Sequence, residues 1–274
     1  MRHLGGSMVT RCLVVMIELM SASLTREGRP VLSPMNMRLA AGQHLAVLGP
    51  NGAGKSSLLR LLSGDEACTG GWVSVFGDNP ARMSLREKAL RIAMLGQKPD
   101  LRFPFKVEEI VALGRYPFAE SLGRTNSIVL EVIKSLELDL LIGRSILSLS
   151  GGEQQRVHLA KTLVQVWDLQ QPGLLLLDEP FAALDIAHQV SARRLIEEMR
   201  SRLPMTVISV VHDLHSATAD FDQVLMISKQ GQQIGFGSPL EMLTEEQLSR
   251  IYGVGVRTLY FEDGQVAGHS ANSS

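Results

Sequence analysis

The stretch Gly49-Pro50-Asn51-Gly52-Ala53-Gly54-Lys55-Ser56-Ser57 limits what this chain can fold into more than any other. It matches G-x-x-x-x-G-K-[ST] and stands between the apolar run Leu45–Leu48 and a segment in which Leu58, Leu59, Leu61 and Leu62 recur with helical spacing. A strand, a glycine turn and a helix in that order make a phosphate cradle. Glycines let backbone N–H groups turn inward onto phosphate oxygens, and the helix start adds its positive end. Lys55 is placed to reach the β and γ phosphates, and the Ser56 hydroxyl to coordinate Mg²⁺. The cradle demands an α/β architecture.

A second segment, Leu174-Leu175-Leu176-Leu177-Asp178-Glu179-Pro180, is an apolar strand ending in two carboxylates. Beside a phosphate loop such acids have a use. Asp178 is expected to hold Mg²⁺, directly or through water, and Glu179 to polarise the water that attacks the γ-phosphate.

The chain has 274 residues, 45% of them hydrophobic, so a membrane span must be sought. The apolar runs Cys12–Ile17, Leu174–Leu177 and Val207–Val211 all fall far short of the roughly 20 residues a span needs, and they read as buried strands. Arg2 and Arg11 precede a short apolar run that Glu18 interrupts, with no clean cleavage site, which is not the pattern of a secretory leader. Met8 and Met16 are alternative starts, and residues 1–15 are expected to be disordered or extended. Cys12 and Cys68 match no metal spacing and no disulfide framework, so a reducing cytosol is the default. With 27 basic against 28 acidic residues and no basic block, nucleic acid is not expected as a partner.

Strand-like segments open at Met16, at Gly70–Gly77, at Thr206–Val211 and at Gln223–Ile227, the last read as the final strand. Helical periodicity covers Val107–Leu113, Ile128–Leu138, Glu153–Val166, a stretch around His188–Leu203 and Leu240–Tyr252. A helical block between strand-rich halves points to a nucleotide-binding core carrying a helical subdomain. The end of the chain reads as a polar tail, frayed from about Gly268.

Between the phosphate loop and the acidic strand lies Leu149-Ser150-Gly151-Gly152-Glu153-Gln154-Gln155-Arg156. Ser150 and the amides of Gly151 and Gly152 open a helix and form a second anion site, with Glu153 in its first turn. With this signature the chain resembles the ATP-binding subunits of ABC transporters, over about residues 17–257. The resemblance implies a P-loop NTPase fold, with a RecA-like core (about 16–96 and 167–240) carrying an antiparallel β subdomain. A helical subdomain would be inserted at about 97–166, within an ATPase domain of 16–257 and before a tail of 258–274. It also implies an ATP hydrolase using ATP and Mg²⁺. Gln97 resembles the family's glutamine that approaches Mg²⁺, His212 its γ-phosphate histidine, and Ala183-Leu184-Asp185 the loop touching a partner subunit. Where the family has an aromatic residue stacking on adenine, this chain has Arg26. Its guanidinium stacks instead, or the base is held weakly. Phe181 and Ala182 stand where many members have Thr and Ser.

The family's geometry implies a head-to-tail dimer in which each ATP lies between one chain's phosphate loop and the other's Ser150 signature. One copy of each motif then implies a homodimer or pairing with a similar chain. Lacking a span, the chain would serve a separate integral membrane permease dimer, as a peripheral subunit on the cytoplasmic face of the inner membrane. Phe103, Phe105 and Tyr116 would line the docking groove or pack the helical subdomain. The segment Phe103–Pro117, with Ala187-His188-Gln189, resembles the subgroup serving iron-chelate, vitamin B12 and haem importers. The long Ala160–Gly173 stretch is most like the haem branch, which implies a periplasmic or surface haem-binding protein as an indirect partner. Iron-siderophore and B12 import are the alternatives. Soluble non-transport ABC ATPases are a remoter one, set aside for want of a coiled coil or a second ATPase domain.

Overall fold

The computed structural model describes residues 15–96, 103–211, 221–260 and 266–271. Its centre follows from runs of apolar residues too short for buried helices and unbroken by polar positions, the pattern of parallel strands covered on both faces. Strands β3 (His44–Leu48), β6 (Gly173–Asp178) and β7 (Met205–Val210) are buried at every position. They lie inside a six-stranded sheet completed by β5 (Ile92–Leu95), β8 (Gln223–Ile227) and β9 (Gln233–Gly237), in the order β5-β6-β7-β3-β8-β9. All neighbours pair in parallel except β8 and β9. A second sheet, β2-β1-β4, is antiparallel and is built from β1 (Val15–Arg26), β2 (Arg29–Ala40) and β4 (Gly70–Val75).

Alternation along β6 shows how the sheet divides the molecule. Leu174 and Leu176 join the core shared with the antiparallel sheet and with helix α1 (Lys55–Ser63), while Leu175 and Leu177 point to the opposite face. That opposite face is covered by the helical block: α3 (Val107–Ala112), α4 (Leu122–Ser135) and α5 (Gly151–Val166), preceded by α2 (Leu85–Arg91). Val107, Val132, Val157 and Leu163 form one continuous cluster with Leu175 and Leu177, so the helical block has no separate core. After β6, α6 (Ile186–Arg202) returns the chain to β7 with Ile196 and Met199 in the same cluster.

The expected α/β fold, antiparallel β subdomain and helical block are thus present. Beyond Ile227 the structure differs from the sequence reading, in which that strand was the last. β9 adds an antiparallel edge, after which the helical stretch expected over Leu240–Tyr252 is present as two helices, α7 (Pro239–Met242) and α8 (Glu245–Tyr252). The expected tail is instead a hairpin of β10 (Val256–Tyr260) and β11 (Val266–Ala271), so Gly268 lies inside a strand. The hairpin is tied to α8 by Val256 N–H donating to Ser249 Oγ at 2.9 Å and Thr258 N–H to Glu245 Oε1 at 2.7 Å. No described helix is long and apolar enough to cross a membrane.

Candidate functional site

The phosphate loop leaves β3 at the middle of the parallel sheet and enters α1 at Lys55. Gly54, at φ +89, caps the helix in a left-handed conformation that a side chain disfavours. A Cβ there would stand 2.6 Å from Leu32 Cδ2 and 2.9 Å from Val31 O, so β2 is packed directly behind the turn. The Lys55 ammonium is buried and donates to the carbonyls of Gly49 at 2.7 Å and Pro50 at 3.0 Å. Burial holds its pKa below the ordinary lysine value, against the opposing pull of Glu179 and Asp178. Those two carboxylates therefore share an electrostatic site with the loop lysine.

Asp178 is the last residue of β6 and is itself buried. Burial raises its pKa above the usual carboxylate range. A hydrogen bond from Ser56 works against the shift, and the neighbouring Glu179 adds to it. Ser56 and Asp178 thus present two hard oxygen donors in contact, a set suited to Mg²⁺. Glu179 has φ +50, a left-handed conformation costing a non-glycine residue about 1–2 kcal/mol. The surrounding contacts must over-determine it.

Those contacts come from the signature helix and from α6. Gln155, buried on α5, donates to Pro180 O at 3.2 Å, and Gln189 on α6 donates to Leu184 O at 2.9 Å and Phe181 O at 3.3 Å. A Cβ on Gly152 would stand 2.8 Å from Ala183 O. The segment 179–185 is therefore held at its carbonyl groups by the signature end of α5 and by α6. Sequence reasoning missed Gln155 and Gln189 in this role. The only available signal was that each is a glutamine one or two turns into a helix whose start was already singled out.

At the signature itself, Ser150 caps α5 in a capping box. Ser150 N–H donates to Glu153 Oε2 at 2.7 Å, and Glu153 N–H to Ser150 Oγ at 3.3 Å. The hydrogen bonds from Ser150 keep Glu153 below the usual glutamate pKa, so its carboxylate is ionised. Glu153 thus closes the Ser150 amide at the start of α5. Asp185 caps α6, accepting from His188 N–H at 2.9 Å, with His188 Nδ1 at 2.8 Å. Those hydrogen bonds lower the Asp185 pKa.

Arg26 lies at the end of β1 and pairs with Glu66, its Nε donating to Glu66 Oε1 at 2.7 Å. Gln97 and His212 lie outside the described residues. In the helical block Phe103 and Tyr116 are 70% and 89% exposed, and the Phe103 and Phe105 rings stand 6.2 Å apart.

A protein-family model described as ABC transporter matches residues 32–182. The hemin import ATP-binding protein HmuV of Pseudomonas fluorescens (strain Pf-5) is 41% identical over 241 residues, covering 88% of this chain and 94% of the relative. Among solved structures, a metal-chelate type ABC transporter in an inward-facing conformation aligns with TM-score 0.77 at 25% identity, covering 95% of this chain and 98% of that one. A dimeric ATP-binding cassette in a post-hydrolysis state with ADP and Pi shares the fold, with TM-score 0.72 at 24% identity over 82% of this chain and 99% of that one. The phosphate loop and acidic strand end meet at Lys55, and with a family model matched over residues 32–182 and 41% identity over 88% of the chain, the chain belongs to the ABC transporter family, as an ATP-hydrolysing subunit.

Proposed function

We propose that two copies of this chain close head-to-tail around two ATP molecules and so drive haem import through a separate membrane permease. The grouping of Lys55, Ser56, Asp178 and Glu179 supports the hydrolytic part of this reading. On nucleotide binding, Lys55 exchanges the carbonyls of Gly49 and Pro50 for β and γ phosphate oxygens, which relieves a buried cation. Ser56 and Asp178 would hold Mg²⁺, which neutralises charge on the phosphates when bound. Glu179 orients the attacking water and takes its proton, and the products are ADP and phosphate. Ser150, Gly151 and Gly152 of the second copy meet the γ-phosphate from the far side, with Asp185 at the interface. Gln97, His212 and Arg26 keep the roles the family resemblance implies.

ATP favours the closed dimer over the open one, so binding closes it and hydrolysis reopens it. Exposed Phe103, Phe105 and Tyr116 are the surface offered to the permease in this reading, in which the subunit sits peripherally on the cytoplasmic face of the membrane. The haem reading rests on the 41% identity to a hemin import ATP-binding protein over 88% of the chain. A second reading, import of another metal chelate, is favoured by the structural likeness to a metal-chelate type transporter. The two are separated by isolating the chain with its permease and measuring ATP hydrolysis with a periplasmic binding protein and a series of ligands. Stimulation by haem and not by ferric siderophores or vitamin B12 is expected. Stimulation by a siderophore or B12 alone would assign the second reading.

A further inference from the structure

The four-residue turn Leu113–Tyr116, which follows α3, carries two exposed apolar side chains with a buried cation between them. Leu113 and Tyr116 face solvent, while the Arg115 side chain is 2% exposed. Its guanidinium has no unused edge. Nε and one terminal nitrogen form a fork onto the Glu120 carboxylate at 2.9 and 2.6 Å. The other terminal nitrogen donates to Asp168 Oδ1 at 2.8 Å and to Val164 O at 3.0 Å, and its face covers the Phe118 ring at 3.8 Å. Arg124 also bonds Asp168 and reaches Glu120 at 3.4 Å, so two cations and two carboxylates close into one network. Burial works to lower the Arg115 pKa, but hydrogen bonds to Glu120 and Asp168 more than reverse it, so the cluster is ionic.

The position of this network on α5 matters. Val164 lies in its last turn and Asp168 two residues past its end, whereas Ser150 caps its start. A helix of 16 residues is a rod about 24 Å long. The Asp168 end is also joined to the core, through Gln165 Nε2 to Ala89 O at 2.7 Å and Arg91 Nε to Pro172 O at 3.1 Å. The exposed turn is thus fixed ionically to one end of the helix whose other end carries the signature.

We infer that Arg115 and Asp168 are positioning residues for ATP hydrolysis: they lock the far end of α5 to the Leu113–Tyr116 turn, set the angle at which the signature meets the second copy's nucleotide, and pass movement of the turn to that signature. This rests on the shared-site reading above. The network touches neither the phosphate loop nor the acidic strand end, so its loss leaves ATP binding to one copy intact and impairs closure.

The test uses the full chain as Asp168→Asn, Asp168→Glu and Arg115→Lys variants, with Ser150→Arg alongside. ATP affinity, kcat and, in a Glu179→Gln background, ATP-driven dimerisation are measured for each, together with the thermal midpoint. Asp168→Asn and Arg115→Lys are expected to keep ATP affinity within about twofold while kcat falls about tenfold to a hundredfold and the dimer weakens, as small misplacements do. Asp168→Glu is expected to restore most of the loss. Wild-type closure and kcat in Asp168→Asn, with Ser150→Arg inactive, would overturn the anchor alone. So would parallel loss of ATP affinity and kcat that Asp168→Glu does not rescue, since a merely structural role gives that pattern. Unimpaired closure in Ser150→Arg would remove the shared site, and both proposals with it.

Discussion

Asp178 shows how one buried carboxylate trades stability for chemistry. Burial raises its pKa, so the folded chain holds that proton more tightly than the unfolded one does. Its contribution favours folding below the unfolded value of about 4 and is lost as pH climbs through the folded value. Asp178→Asn is therefore expected to raise the thermal midpoint of the nucleotide-free chain. The gain over wild type should grow as pH rises and vanish at acid pH, while hydrolysis is abolished. Calorimetry across pH checks this, and a midpoint below wild type at neutral pH would contradict the assignment of burial as the dominant cause. Lys55, Ser56, Asp178 and Glu179 were legible in the sequence because each sits in a contiguous motif with its own strand and turn. The left-handed backbone of Glu179 was not, since it depends on contacts from two other helices. For Arg26 the sequence offered only its place in the chain, and Glu66, its ion-pair partner, is 40 residues away.

At the scale of elements, α5 does the most. Its start forms the signature, its second turn holds the exit of β6 through Gln155, and its end is gripped by Arg115. Gly152 is where the first two meet. Gly152→Ala should force Ala183 aside, because the added Cβ would lie 2.8 Å from its carbonyl oxygen. A cost of about 1–3 kcal/mol in stability is expected. Larger effects are expected on kcat than on ATP affinity, since the phosphate loop lies on a separate element. Equal losses in both, from a titration of bound nucleotide and steady-state kinetics, would place Gly152 in a different role. Helical periodicity announced α5, but not what its end grips: Arg115 and Asp168 are 53 residues apart, in two segments that the sequence singles out only by resemblance and does not pair with each other. The strands after Ile227 escaped for another reason. β9, Gln233-Ile234-Gly235-Phe236-Gly237, alternates over only five residues, and its two glycines, with Gly231 just before it, read as a turn as readily as a strand.

Across the whole molecule, the high apolar content has two destinations. Part fills the three core clusters of the described residues, and part stays exposed, on the helical block as Phe103, Leu113 and Tyr116 and elsewhere as Leu85, Ile186 and Leu240. The helical block shares its core with one sheet face through Leu175 and Leu177, so its packing is continuous with the strand that ends in Asp178. For the proposed permease, this continuity is a physical route from the surface of the helical block to the carboxylate at the end of β6. The central claim is that ATP is the bridge between two copies. Light scattering of the purified Glu179→Gln chain, with and without Mg·ATP, tests it most directly. The 29.9 kDa chain is expected to double in mass on adding ATP, and Ser150→Arg in the same background to stay at its original mass. A Glu179→Gln chain that binds ATP yet stays monomeric would contradict it.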